Sequence, residues 1–201
     1  MLRANPNEGG QWGIMGGAFD PVHFGHLILA ETACQAFNLS GVLFVPGFNP
    51  PHRENQPYAS FEDRFNMTEL AIKDNEKFAL SDIEKNIKGP GYTLKLIEEL
   101  AGKYPNVRWH LILGADNIAI FKKWYKPDEL IRRVGIVVGG RPGYADELEN
   151  NEWSDKISRF DMPLIDISST EIRKHIAAGI SVRYMLPEAV RKYILDKGLY
   201  R

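Results

Sequence analysis

Gln11-Trp12-Gly13-Ile14-Met15-Gly16-Gly17-Ala18-Phe19-Asp20-Pro21-Val22-His23-Phe24-Gly25-His26 sets the architecture of this chain. Gln11 to Met15 reads as a strand that stops at Gly16-Gly17. Leu27 to Phe37 then has the period of a helix, with apolar residues at Leu27, Ala30, Ala33, Cys34 and Phe37. Two glycines directly after a strand let the backbone turn tightly and let a ligand approach the main chain. A plain strand-to-helix turn uses the same residues, and the G-x-G-x-x-G spacing of dinucleotide folds is absent.

The same alternation runs outward through the chain. Gly41 to Pro46 is the next strand, and the proline-rich Gly47 to Tyr58 is a loop. Ser60 and Asp63 form an N-cap pair for a helix carrying Phe61, Phe65, Met67, Leu70 and Ala71. Phe78 to Ser81 and Val107 to Leu113 read as strands, with a helix over Tyr92 to Ala101 between them. Short helices follow at Ala115 to Phe121 and Pro127 to Arg132, then an apolar strand at Val134 to Val138. Arg141-Pro142-Gly143 is a turn, and Asp146 to Arg159 is a polar stretch of helical character. Leu164 to Ile167 reads as a short strand leading into Ser168-Ser169-Thr170 and a helix over Glu171 to Ala178. Pro187 to Asp196 is a closing helix that stops near Gly198. Alternating strands and helices predict an α/β fold: a doubly wound parallel sheet covered on both faces. Ligands then sit beyond the carboxyl ends of the strands.

A chain of 201 residues suits one domain, residues 11–201, with residues 1–10 as a flexible tail. That tail has no apolar core, so it does not read as a signal peptide, and no apolar run is long enough to span a membrane. The net charge of −1 speaks against nucleic-acid and membrane-surface partners. Cys34 is the one cysteine, so no intrachain disulfide forms and a cytoplasmic home is expected. Self-association into a homo-oligomer stays open.

Several residues in this frame carry chemistry. His23 and His26 lie three apart, on one face if the helix has begun, and Gly25 between them admits close approach. A helix N-terminus there offers free N–H groups and a positive dipole end, which suit a phosphate. Two imidazoles at such a site can donate to oxygens whose charge grows in a transition state. A capping or core histidine pair is the alternative; partners at metal-ligand spacing are lacking, so no metal site is expected. Ser168, Ser169 and Thr170 are natural N-cap residues, with Arg173 one turn into the helix. They read either as a well-capped helix or as a second anion site held by amides, hydroxyls and a guanidinium. Asp116, just past the strand Val107 to Leu113, is placed to accept from ribose hydroxyls or to cap a short helix. Trp124 stands among Lys122, Lys123 and Lys126, where its face either stacks on a flat ring or anchors the surface. Arg53 and Arg141 are a pair of loop arginines within reach of a phosphate or of solvent.

Gly16 to His26 resembles the signature of the nucleotidyltransferases that use an H-x-G-H motif. From Trp12 to Arg201 the chain resembles the bacterial nicotinate-nucleotide adenylyltransferases. The resemblance includes Pro50-Pro51-His52-Arg53, Gly91-Tyr92-Thr93, Leu113-Gly114-Ala115-Asp116-Asn117, Trp124-Tyr125, Arg141-Pro142-Gly143, Ile167 to Arg173 and the tail Gly198-Leu199-Tyr200-Arg201. Relatives often carry Ser where Gly91 stands, and the loop Gly47-Phe48-Asn49 differs from some of them. The resemblance implies a Rossmann-like nucleotidyltransferase fold with a small helical C-terminal part. It implies ATP contacts from Gly16, Gly17, Phe19, His23, His26, Asp116, Ser168, Ser169, Thr170 and Arg173. It implies mononucleotide contacts from Arg53, Thr93, Trp124, Tyr125 and Arg141, with His23, His26 and Arg173 catalytic.

The activity implied is transfer of the adenylyl group of ATP to nicotinate mononucleotide, giving nicotinate adenine dinucleotide and pyrophosphate, with Mg²⁺ bound through the ATP phosphates. The rivals are the amidated mononucleotide or pantetheine phosphate as acceptor, and a catalytically idle nucleotide-sensing module. A tRNA synthetase is set aside, because the chain is short and lacks a K-M-S-K-S loop.

Overall fold

The computed structural model describes residues 4–49, 57–140, 153–163 and 165–201. Six strands form one all-parallel sheet: β1 (Gly10–Gly17), β2 (Gly41–Pro46), β3 (Phe78–Leu80), β4 (Val107–Gly114), β5 (Gly135–Gly140) and β6 (Ile157–Asp161). Their order is β3-β2-β1-β4-β5-β6, so the winding reverses between β1 and β4. In doubly wound sheets the ligand crevice lies at that switch point.

Seven helices are described: α1 (Phe24–Ala36), α2 (Phe61–Ile72), α3 (Thr93–Lys103), α4 (Ala115–Ala119), α5 (Pro127–Arg133), α6 (Ser169–Ala177) and α7 (Glu188–Lys197). The period of two along the strands divides the core into two layers. Trp12, Ile14, Trp109, Leu111 and Leu113 point to the layer with α3 and α5. Met15 and Ile112 point to the opposite layer with α1, α2, α6 and α7. Ser60 caps α2 as its sequence predicts: its Oγ accepts from the Asp63 N–H at 3.0 Å, a bond worth about 1 kcal/mol.

Two expectations are corrected. The last strand is Ile157–Asp161, which begins within the stretch Asp146 to Arg159 read as polar and helical and runs past its end; of that stretch only a turn at Ser154–Lys156 is helical among the described residues. An edge strand buries little, and here only Ile157 and Phe160 are buried, so its pattern is faint. Residues 165–167 are not a strand; β6 already occupies the edge, and Ile167 packs against the core without joining the sheet. In the N-terminal stretch, the Ala4 N–H donates to the Glu76 carbonyl at 2.7 Å, and a turn at Pro6–Glu8 precedes β1.

Candidate active site

A cavity of about 370 Å³ opens at the carboxyl ends of β1, β2, β4 and β5, at the switch point. That volume is within the range of small-ligand sites. Its walls include Gly16, Gly17, His26, Thr93, Asp116 and Trp124, expected from the sequence, and also Glu84 and Gly91.

The histidine pair is built by the first turn of α1. His23 is the N-cap, in extended conformation, and its N–H donates to Nδ1 of His26 at 3.2 Å. The rings lie 3.7 Å apart. His26 lines the cavity, whereas His23 is buried behind it. Burial, and then the neighbouring His23, hold the His26 pKa well below the usual imidazole value, so its ring is neutral at physiological pH. Gly25 serves the pair directly. A Cβ there would stand 3.0 Å from the His23 ring, so what comes close at Gly25 is its own neighbour. Phe19 is buried and sets its ring edge-on to His26 at 5.1 Å.

The second anion motif sits beside the first. Ser168 caps α6, its Oγ accepting from the Glu171 N–H at 3.1 Å. The Ser169 hydroxyl donates to the Pro21 carbonyl at 2.9 Å. Arg173 donates from Nη1 to the Asp20 carbonyl at 2.7 Å and from Nη2 to Thr170 Oγ1 at 3.1 Å, beneath the exposed ring of Tyr58. These side chains therefore bind α6 to the histidine motif. The N–H groups of the first turn of α6 have no helical partner, as at any helix start.

Asp116 is exposed on the cavity wall at the start of α4 and makes no cap hydrogen bond there. Trp124 packs on Phe121 at 5.3 Å and lines the wall, with its indole N–H buried and without a partner among the described residues. Thr93 opens α3 on the same wall. Tyr125 lies outside the wall, its ring stacked on Tyr92 at 4.4 Å. Arg53 and Arg141, with the segments Pro50-Pro51-His52-Arg53 and Arg141-Pro142-Gly143, lie outside the described residues.

Three buried charged residues escaped the sequence reading as site elements. Arg64, 1% exposed, donates to the carbonyls of Ala18, Gly47 and Ala59. Glu84 accepts from the Phe48 N–H at 2.9 Å, and burial pushes its carboxyl above the usual range against the opposing pull of that bond and of Arg64. Asp20, quoted within the motif, is fully buried and accepts from the N–H groups of Tyr58 and Ala59. A signal existed for Arg64, an arginine three residues after Phe61 on the apolar face of a helix. At Gly91 a Cβ would stand 2.9 Å from the Asn49 carbonyl and 3.1 Å from Glu84 Oε2. Among the described residues no group of three or more His, Cys, Asp or Glu side chains is arranged to hold a metal. No described helix is long and apolar enough to cross a membrane.

Known proteins resemble this chain in sequence and in fold. The Cytidylyltransferase-like family model matches residues 14–175. A protein of Lachnoclostridium phytofermentans is 38% identical over 195 residues, covering 94% of this chain and 98% of its own. One of Geobacillus thermodenitrificans is 39% identical over 191 residues, covering 95% and 86%. Both carry the name "Probable nicotinate-nucleotide adenylyltransferase". The Plasmodium falciparum nicotinic acid mononucleotide adenylyltransferase complexed with NaAD matches with a TM-score of 0.80 at 20% identity, over 94% of this chain and 97% of that one, which shows the shared fold. The chain belongs to the Cytidylyltransferase-like family and, within it, to the nicotinate-nucleotide adenylyltransferases.

Proposed function

We propose that this protein joins ATP to nicotinate mononucleotide, releasing pyrophosphate and forming nicotinate adenine dinucleotide, a step of NAD biosynthesis. The observation that carries the reading is a single cavity at the switch point, lined at once by His26, Asp116, Thr93 and Trp124. The curated relatives cover nearly the whole chain, which supports the same assignment. One nucleotidyltransferase domain, residues 11–201, holds both substrates, and the protein works in the cytoplasm.

The chemistry is in-line displacement. An oxygen of the mononucleotide phosphate attacks the α-phosphorus of ATP; that O–P bond forms as the bond to the bridging α,β-oxygen breaks. The nucleophile is already an anion, so no base is needed, and catalysis is positioning plus charge stabilisation. His26 accepts on Nδ1 from the His23 N–H, so its neutral ring keeps the proton on Nε2 and donates a hydrogen bond from it to an α-phosphoryl oxygen. His23 supports that ring from behind, so its part in holding the phosphates runs through His26. The α6 N-terminus and Arg173 receive the departing β- and γ-phosphates. Asp116 accepts from the ATP ribose, Gly16 and Gly17 let the nucleotide approach the main chain, and Trp124 stacks on the pyridine ring, with Thr93 beside it. The resemblance adds Arg53, Tyr125 and Arg141 as mononucleotide contacts. ATP enters as its Mg²⁺ complex; the groups facing its phosphates here are donors, which suit the oxygens the metal leaves free.

Pyrophosphate release from ATP, measured with the acid mononucleotide, the amide mononucleotide and pantetheine phosphate in turn, tests the assignment. The acid is expected to give the highest kcat/KM. Turnover only with another acceptor, or ATP binding without pyrophosphate release, would sink it.

A further inference from the structure

The tail Gly198-Leu199-Tyr200-Arg201 has no part in the chemistry above, yet it reaches the histidine motif. Helix α7 ends at Gly198, and the Leu199 N–H donates back to the Ile194 carbonyl at 3.0 Å, so the chain turns inward. The Tyr200 hydroxyl then donates to Oδ1 of Asp20 at 2.8 Å across 180 residues of sequence. That oxygen also accepts from the Ala59 N–H at 3.1 Å, and Oδ2 accepts from the Tyr58 N–H at 2.9 Å, with Arg173 Nη1 at 4.0 Å. The main chain of the same two residues is the seat of α6: Asp20 O takes Arg173, and Pro21 O takes Ser169. Three residues on, the Phe24 N–H donates to the Met185 carbonyl at 3.1 Å, so the C-terminal part grips the motif on both sides of Val22 and His23. Burial and the adjacent Asp20 push the Tyr200 phenol far above its ordinary value, so it stays a neutral donor throughout the working pH range.

We propose that Tyr200 is a positioning residue for adenylyl transfer: its hydroxyl fixes the Asp20 carboxylate, and the Asp20-Pro21 main chain in turn sets Arg173 and Ser169 against His23 and His26. The proposal rests on reading the α6 N-terminus as the pyrophosphate-side anion site. A buried carboxylate held by these donor groups has one orientation that satisfies them, and removing one frees the others to shift. A shift of about an ångström at such a site costs on the order of a hundredfold in the limit; one lost hydroxyl should cost less.

The test uses the full chain with Tyr200→Phe, which removes only the hydroxyl, and Tyr200→Met, which keeps a flexible apolar body. Arg201→Ala is the control. Each is measured for kcat, for both KM values, for pyrophosphate binding by calorimetry and for thermal unfolding. In both Tyr200 variants kcat/KM for ATP is expected to fall roughly five- to thirtyfold and pyrophosphate to bind at least fivefold more weakly. KM for the mononucleotide should stay within about twofold, and the control should match the wild type. Lower unfolding temperature with unchanged ATP kinetics and pyrophosphate affinity overturns the proposal, as does an equal loss for both substrates. A wild-type protein that binds pyrophosphate but makes no dinucleotide would refute the activity alone, and the binding comparison would still decide the role of Tyr200.

Discussion

Arg64 and Glu84 hold the two ends of one peptide group. Nη2 of Arg64 donates to the Gly47 carbonyl at 2.8 Å, and Oε2 of Glu84 accepts from the Phe48 N–H at 2.9 Å. The peptide that leaves β2 for the cavity is thereby fixed by opposite charges, each in the interior. Arg64 also ties Ala18 and Ala59, so one guanidinium joins three loops around the site.

Arg64→Leu should therefore be severe. It leaves three carbonyls and the Glu84 carboxylate short of a partner, which costs about 3–5 kcal/mol. Urea unfolding measures it. Arg64→Lys should recover only part of the loss, because an ammonium lacks the planar fork. A loss below about 1 kcal/mol in Arg64→Leu would show that the clamp is not needed.

Stability should fall as pH drops. Burial, and next the neighbouring His23, lower the folded-state pKa of His26; burial, and next Arg108, lower that of His110. The unfolded chain protonates both at the ordinary imidazole value of about 6.5. A depressed folded-state pKa means full stability above that value and loss below it, down to the folded-state pKa. The slope approaches about 1.4 kcal/mol per pH unit for each group. Urea midpoints between pH 8 and pH 5 should show it, and His26→Gln should reduce the slope by one proton. An unchanged slope in the variant would contradict a neutral His26.

Gly91→Ser should do harm. Its Cβ meets the Asn49 carbonyl and Glu84 Oε2, so the loops must part. We expect a loss of about 1–3 kcal/mol and a higher KM for the mononucleotide. Kinetics that improve on the wild type would show that the loop has room for the hydroxyl.

The two halves of the cavity should separate kinetically. Trp124→Ala should raise KM for the mononucleotide about tenfold, the scale of a lost stacking contact of 1–1.5 kcal/mol, with KM for ATP nearly unchanged. Asp116→Ala should do the reverse. Equal effects on both substrates in both variants would contradict the assignment of the walls.

Most of the fold was legible because the strands are apolar, the helices amphipathic and the turns marked by Gly, Pro and Ser. β2 at Gly41–Pro46 is an example, fully buried and bounded by polar turns. β6 was not legible, since an edge strand with two buried residues has no clear period. In the site, His26, Asp116, Thr93 and Trp124 carry side-chain chemistry that residue type and position announce. Arg64, Glu84, Asp20 and Tyr200 act on main-chain atoms or on each other across up to 180 residues, and sequence spacing holds no record of such contacts. The separation of His26 at the cavity from His23 behind it also needed the ring packing.

Initial rates of dinucleotide and pyrophosphate formation by wild-type protein and His26→Ala, with ATP and nicotinate mononucleotide, decide whether His26 stabilises the transferring phosphoryl group. The wild type should form one pyrophosphate per dinucleotide, and the variant should show a kcat lower by about 10²–10³ with KM for the mononucleotide changed only a few-fold. A variant that turns over at near the wild-type rate would contradict that role.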